Sequence, residues 1–452
     1  MSPFLEQIEQ QLHEALENDN LESLRGVLND EYPADIADAL ERLEVESRLA
    51  AFRLLQPEIA AEVLNELGLD STRELLQLMD PEEVGLLLDE MPMDDAVEIL
   101  TEDVPELQEA YLAEMDPEDA AEVQRLLQYP PDSAGLLMTE KYVGIRDDLT
   151  AAEAIEHVRQ VDEEVETVTN LYILDAERRL SGVTSLRRVI TAQPDTYIRD
   201  IMETDLVTVP PEIDQEKVAR VISRYNFLAM PVVDEQQKLL GIITVDDAMD
   251  VLTEENTEDI LRFGGVDQGS DQPYFTIPLY KVLRSRFGWL LLLMVADTLT
   301  GTVMRMFDVQ LAAVVSLSFY IPLLIGTGGN TGAQTVSTII RGLAVQDIRF
   351  RDIFRVLRRE FLGGLLLGLA LSIVAGARAY IWDGSLELAL VIGLSIIIIC
   401  TWANLMGSLI PLVATKIGID PAVVSAPMIS TLVDASGLFL YLTIATLILG
   451  LG

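Results

Sequence analysis

Residues 424–442 read VSAPMISTLVDASGLFLYL. A bilayer accepts nearly all of them, yet Asp434 stands mid-segment, with Leu432, Leu438 and Leu440 around it. A charge at the bilayer centre costs about 2.5–3.5 kcal/mol on insertion scales, so a carboxylate there faces a partner or a water-filled path. Its own span holds no basic residue to pair with it. The status of this segment decides the fold, because four apolar runs precede it. They cover residues 287–306, 311–338, 361–382 and 388–414, with 421–450 as the fifth. Each reaches or exceeds the ~20 residues that cross a bilayer as a helix. Five in succession point to a five-helix membrane domain, 287–452, rather than to buried helices of a soluble protein.

Charge is partitioned along the chain. Residues 1–130 carry a net −29, residues 131–272 a net −17, and residues 273–452 a net +3. So large an acidic surface repels nucleic-acid phosphates and attracts cations, or it serves solubility alone. Cys400 is the single cysteine. No disulfide within the chain is possible, which suits a reducing cytosol for the acidic part. The start, MSPFLEQIEQQ, has no charged-then-apolar signal pattern.

The first 130 residues repeat. Pro33, Pro57, Pro81 and Pro105 recur every 24 residues, and Pro117 opens one more stretch of the same kind. Proline at the first helical position, acid in the first turn and leucines at i, i+3, i+4 mark helix starts. Two short helices per repeat predict a small α-solenoid over 1–130. Residues 131–256 instead follow a strand–helix–strand–strand–helix order twice, with LYILDAERRLSGVTS in the first half and MPVVDEQQKLLGIIT in the second. This pattern resembles a pair of CBS modules, 131–200 and 201–256. Such pairs commonly sense nucleotides or ions. Arg188 in TSLRRVI stands where a ribose-binding aspartate is usual, so ATP is expected to bind weakly. A linking (plug) helix segment is expected over 257–286, read as a charged helix, a Gly/Ser/Asp linker and a second amphipathic helix.

Orientation follows from basic residues flanking the spans. Lys281, Arg284 and Arg286 precede the first span, Lys416 lies between the fourth and fifth, and Arg341, Arg349, Arg351, Arg355, Arg358 and Arg359 precede the third. All fall on the cytosolic side if the amino-terminal part is cytosolic. Five spans then put the carboxyl end outside the cytoplasmic membrane.

The second apolar run is irregular: FYIPLLIGTGGNTGAQTVS, 319–337. Pro322, Gly326, Gly328, Gly329 and Gly332 disfavour a regular helix. Asn330 and Gln334 are costly against lipid and useful lining water. The fifth run begins IDPAVVSAPMIS, with Asp420 at its cytosolic mouth and Pro427 as an expected kink. A cation pathway accounts for these features. The other reading is that the glycines permit close helix packing while Asp434 bonds a neighbouring hydroxyl. Asp297, in LLMVADTLTG, has either a local polar role or a pore role. No enzyme is expected. His13 and His157 lie in acidic helical stretches, and no Ser/His/Asp set, P-loop or HExxH is present.

With GTGGNTGAQ at 326–334 and DPAVVSAPMISTLVD at 420–434, the whole chain resembles the MgtE family of magnesium channels. The resemblance implies a homodimer whose pore comes from the second and fifth spans of both subunits. Asp434 matches the selectivity aspartate, helped by carbonyls near Ser430 and Ala426. Ala426 replaces a more polar residue of some relatives. The resemblance also implies a gate in which Mg²⁺ bridges acidic groups of the soluble domains and closes the pore. The matching positions are Glu62, Asp94 and Glu98 on the solenoid, and Asp214, Glu216, Asp247 and Asp250 on the second CBS module. Glu255, Glu258 and Asp259 match on the linking helix, with Asp420 at the pore mouth. Asp95 is a neighbouring carboxylate, and Asn226 stands where the family commonly has aspartate. The spacing of Asp247, Asp250, Glu254 and Glu258 independently places one acidic face on a helix. Two other functions fit the composition: a cation-coupled divalent metal transporter for Mg²⁺, Co²⁺ or Ni²⁺, and a membrane ion sensor that transports nothing.

Overall fold

The computed structural model describes residues 25, 28, 31–103, 106–161, 165–267 and 274–451. Pro105, His13 and residues 268–273 of the glycine-rich linker lie outside them. The chain divides into two compact units. One holds Met1–Glu255 with Ser270–Ile277, the other Asn256–Gly269 with Pro278–Gly452.

In the first unit the 24-residue repeat becomes stacked helix pairs. Pro33–Leu40, Pro57–Glu66, Pro81–Asp89 and Pro117–Leu126 each begin with proline in the first turn. There its missing N–H costs nothing and its fixed φ suits the helix. Val45–Phe52, Leu69–Leu76 and Met93–Glu98 are the second helices of the repeats. Each helix is too short to persist alone, and stacking supplies the stability. Ile36, Leu40, Val63, Leu64, Leu75, Leu76, Val84 and Leu88 are wholly out of solvent or nearly so.

The strands follow. Strand β1 (Tyr142–Arg146) runs parallel to β2 (Thr167–Leu174), which pairs antiparallel with β3 (Leu180–Ser185). Strands β4 (Ala229–Val233) and β5 (Leu239–Thr244) form an antiparallel pair. The second module lacks the first strand that its sequence pattern predicts. Only Val209 pairs there, donating to Pro231 O and accepting from Val233 N. Pro210 and Pro211 follow it and carry no N–H to continue a ladder. The modules interlock through the segment before β1: Ala134 N donates to Ile213 O, and Thr139 exchanges both bonds with Ile242. Gly241 permits this approach, since a Cβ there would lie 2.6 Å from Thr139 O.

A single 19-residue helix, Val245–Phe263, leads from β5 across the boundary of the two units. The linking segment 257–286 holds parts of two helices. It comprises the end of this helix, a turn at Gly265 (φ +71°) and the start of the next helix.

In the second unit Leu279–Met306, Phe350–Asp383, Leu386–Lys416 and Ala426–Leu449 are each long and apolar enough to cross a membrane. Ser316–Ala344 has the length, at 29 residues, but carries the polar Gly/Thr/Asn/Gln stretch. It is a continuous helix with Pro322 inside it, against the expectation of a broken one. Packing overrides the weak helix propensity of its glycines. A Cβ on Gly328 would meet Ile399 at 2.7 Å, and one on Gly332 would meet Ile429 at 3.0 Å. From the other side, a Cβ on Gly407 would lie 2.7 Å from Gly332 O. Small residues here let helices approach closely, as the packing reading of these glycines expects. Pro427 makes no kink. It sits in the first turn of Ala426–Leu449, behind a capping bond from Met428 N to Ser425 Oγ.

Candidate functional site

The first unit gathers carboxylates. Asp94 begins the Met93–Glu98 helix and is only 7% exposed, with Oδ1 enclosed and lacking a hydrogen-bond partner. Burial pushes its carboxyl well above the usual range, and Asp95, Asp247 and Glu166 push it the same way. Asp95 is raised to about 7 by burial and by Asp247 and Glu166, against the opposing hydrogen bond with Asn65. Burial also raises Glu166, with Asp247 and Asp246 adding to it. Asp247 is raised by burial too, although Thr244 donates to it from its hydroxyl and from its N–H (3.1 Å). Solenoid, first module and second module thus each contribute acid to one place. Alongside, Glu66 is raised by burial and by Asp250, Asp38 and Glu62.

Among the described residues the strongest influences on Asp94 and Asp95 are burial and neighbouring carboxylates rather than a cation. The arrangement therefore accumulates uncompensated charge at neutral pH and relieves it by protonation or by a mobile cation. Among the described residues no three acidic, histidine or cysteine side chains are drawn together tightly enough to hold a metal by themselves.

The remaining matched positions are placed differently. Glu98 is exposed. Asp214 caps its helix, accepting from Lys217 N at 3.2 Å, and Glu216 is paired with Arg220. Asn226 ends the Gln215–Tyr225 helix in the left-handed conformation, φ 55°, which asparagine tolerates well. Glu255 lies on the Val245–Phe263 helix in the first unit, and Glu258 and Asp259 lie on the same helix in the second. Sequence reasoning passed over Glu66, Glu166 and Arg262. Glu166 becomes relevant only through tertiary structure. Arg262 was legible as the i+4 partner of Glu258.

In the second unit Arg262 bonds Asp420 at 2.9 Å and also pairs with Glu258. Beyond it Phe263 packs in a cluster with Val424, Ile429 and Val433, and Asp267 N donates to Ser285 O at 2.9 Å. The helix end and the turn after it are thus seated at the base of the last span.

Asp434 and Ser430 lie one turn apart on Ala426–Leu449 and face Gly329 on Ser316–Ala344. A Cβ on Gly329 would sit 2.3 Å from Ser430 Oγ and 3.2 Å from Asp434 Oδ1. That oxygen is enclosed and accepts no hydrogen bond from the described residues. The expected alternative, a neighbouring hydroxyl bonded to Asp434, is not formed at that oxygen. Gly326, Asn330 and Gln334 follow one another at four-residue steps along Ser316–Ala344, all exposed. Among the described residues nothing beyond its own stretch of helix backbone lies within 4 Å of a Cβ placed on Gly326. Ala426 and Ser430 are half-buried below Asp434. One buried polar network is separate: Thr335 donates to Asn404 Oδ1 (2.9 Å), whose amide donates to Glu360 (3.2 Å).

Comparison with known proteins matches three family models. A divalent cation transporter domain matches residues 321–444, an MgtE intracellular N domain residues 31–132, and a CBS domain residues 198–254. The magnesium transporter MgtE of Thermus thermophilus is 42% identical over 327 residues, covering 72% of each chain. That of Bacillus subtilis is 36% identical over 324 residues, covering 72% of this chain and 71% of its own. Among solved structures, the cytosolic domain of the Mg²⁺ channel MgtE in complex with ATP is similar to 54% of this chain and 99% of its own. That likeness has a TM-score of 0.51 and 36% identity.

Proposed function

The chain belongs to the MgtE family of divalent cation transporters, and from that premise we propose that it is a magnesium-gated Mg²⁺ channel of the cytoplasmic membrane. The carrying observation is Asp434: a carboxylate in a membrane helix, one oxygen enclosed and unpartnered, beside a glycine that leaves room for it. Mg²⁺ is the substrate. It dehydrates reluctantly and favours an octahedron of oxygens, so two Asp434 carboxylates of a homodimer hold it through its waters. Carbonyls near Ser430 and Ala426 assist. The exposed row Gly326, Asn330, Gln334 supports a second subunit or water on that face, because amides facing lipid are costly.

Closure follows from the soluble carboxylates. Mg²⁺ binding among Asp94, Asp95, Glu166 and Asp247, and between Glu62, Glu66 and Asp250, replaces repulsion with bridging and holds the acidic domains together. Through the Val245–Phe263 helix this holds the pore mouth near Asp420 shut. Glu98, Asp214, Glu216, Glu255, Glu258 and Asp259 enlarge the cation-attracting field. ATP binds weakly, since Arg188 is donor-only toward ribose hydroxyls and already pairs with Glu203 at 2.8 Å. The amino-terminal part is cytosolic and the carboxyl end lies outside.

Mg²⁺ flux into liposomes holding the purified chain tests this. Asp434→Ala and Asp434→Asn are expected to abolish flux while the protein stays monodisperse and dimeric. Near-normal flux in both removes Asp434 from the pore.

A further inference from the structure

No residue of the Leu279–Met306 helix is buried within the subunit. Between the exposed Arg286 and Arg305, lipid suits that surface except at Asp297, an exposed carboxylate without a hydrogen-bond or ion-pair partner among the described residues. Two contacts set the level of this helix against the last span. At one end the Gly265 turn lies against both Trp289 and Ser425. At the other, the Phe307 and Phe439 rings meet edge-on at 5.8 Å. Asp297 is about 12 Å of helical rise beyond Trp289 and Asp434 about 13 Å beyond Ser425. Counted from Trp289 and Ser425 the two carboxylates stand within about 2 Å of one level, and counted back from the Phe307–Phe439 contact within about 8 Å; their charges are close enough to interact. Thr300, one turn on from Asp297, has an enclosed hydroxyl oxygen with no partner. Thr298 and Thr302 nearby instead donate to carbonyls of their own helix, at 2.6 and 2.8 Å.

We propose that Asp297 is a second carboxylate of the ion route, a specificity-determining residue that shares with Asp434 the attraction of a hydrated divalent cation. This rests on the reading of Asp434 as the pore carboxylate. Asp297 acts through the ion's waters and needs no direct bond to the metal. A divalent ion gains twice what a monovalent ion gains from each added charge, so the second carboxylate raises selectivity as well as flux.

The test is Mg²⁺ flux and the Mg²⁺/K⁺ permeability ratio of the full chain in liposomes, for Asp297→Asn, Asp297→Glu, Asp297→Cys and Asp434→Asn. Asp297→Asn is expected to cut Mg²⁺ flux about tenfold and to lower the ratio, an effect of field focusing. Asp297→Glu should restore most of both. In Asp297→Cys, a sulfonate thiol reagent should recover flux and a trimethylammonium reagent should suppress it further; buried Cys400 is the background control. If Asp434→Asn abolishes flux while Asp297→Asn conducts normally, with an unchanged ratio, the proposal for Asp297 is overturned and the pore reading stands. If Asp434→Asn conducts normally, the pore reading itself has failed. Should Asp297→Asn not assemble, the two thiol reagents decide: equal effects from opposite charges overturn the proposal.

Discussion

The soluble unit and the membrane unit both keep buried or half-buried carboxylates that are bonded to no arginine or lysine among the described residues, but they keep them differently. Around Asp94 the acid is crowded, so each group raises the next and protons can take the place of a cation. Around Asp434 the acid is sparse, and a glycine holds the space beside it open. A crowded site responds in steps as ion concentration changes, which suits sensing. A sparse one binds weakly enough to release its ion, which suits conduction. The contrast predicts that the membrane site fails through geometry as well as through charge, and the soluble site through charge alone.

Beyond the loss of Asp434 itself, the largest effect is expected from geometry. Gly329→Val places carbon where Ser430 Oγ already lies within 2.3 Å of a single Cβ. Overpacking of this kind costs about 1–3 kcal/mol, and here the strain falls on the turn that carries Asp434. Mg²⁺ flux should drop roughly a hundredfold or more, since small misplacements at a reacting centre are that costly. Normal flux would show that the open space beside Asp434 is irrelevant to passage.

Charge is the next lever. Asp94→Asn, Asp95→Asn and Asp247→Asn together should leave the fold intact, because each amide relieves repulsion. The channel should then stay open to internal Mg²⁺ about tenfold higher than the parent tolerates, each bridging carboxylate being an anionic ligand of the ion. Patch recordings against internal Mg²⁺ measure this. An unchanged half-closing concentration would take sensing away from this cluster.

Much of this was legible beforehand because its signals are local. Proline spacing marks the solenoid helices, and an apolar run with one aspartate marks the last span. Two kinds of feature were not legible. The glycine-rich stretch reads as helix-breaking by propensity, yet it is helical because close interhelical contact outweighs propensity, and that contact involves Ile399 and Ile429, far along the chain. The acidic cluster could be listed by position, but only the fold distinguishes Asp94 and Glu166, drawn together, from Asp214 and Glu216, which have local partners.

Acidity sharpens the same comparison. Asp95 titrates near 7 in the folded protein, well above its unfolded value. Without Mg²⁺ the folded state therefore holds a proton that the unfolded state has lost. The contribution of Asp95 to the stability of the soluble unit falls as pH rises from about 4 and stops falling above about 7. Mg²⁺ must displace that proton, so its apparent affinity should be about tenfold weaker at pH 6 than at pH 8. Protection of the exposed backbone at residues 130–132 from protease, titrated with Mg²⁺ at both pH values, reads this out. An affinity independent of pH would place the responsive ion elsewhere.

The smallest effect concerns Arg262, which joins Glu258 to Asp420 inside the second unit without any metal. Arg262 and Asp420 are each more than a third exposed, so water and salt screen the pair. Such partly exposed pairs contribute about 0–1 kcal/mol. Their removal should therefore bias closure without deciding it. Arg262→Ala leaves two like charges facing each other and loosens the seat of the helix end. The Mg²⁺ needed for half-closure should rise about two- to threefold, the equivalent of about half a kcal/mol. The shift should shrink in high KCl, where the Debye length falls toward ~3 Å. Arg262→Glu should exceed it, because repulsion is added as well as attraction lost. A shift as large as that of the triple cluster variant, and insensitive to salt, would reverse the ranking. It would make this protein-borne cation, rather than the crowded carboxylates of the soluble unit, the main determinant of closure.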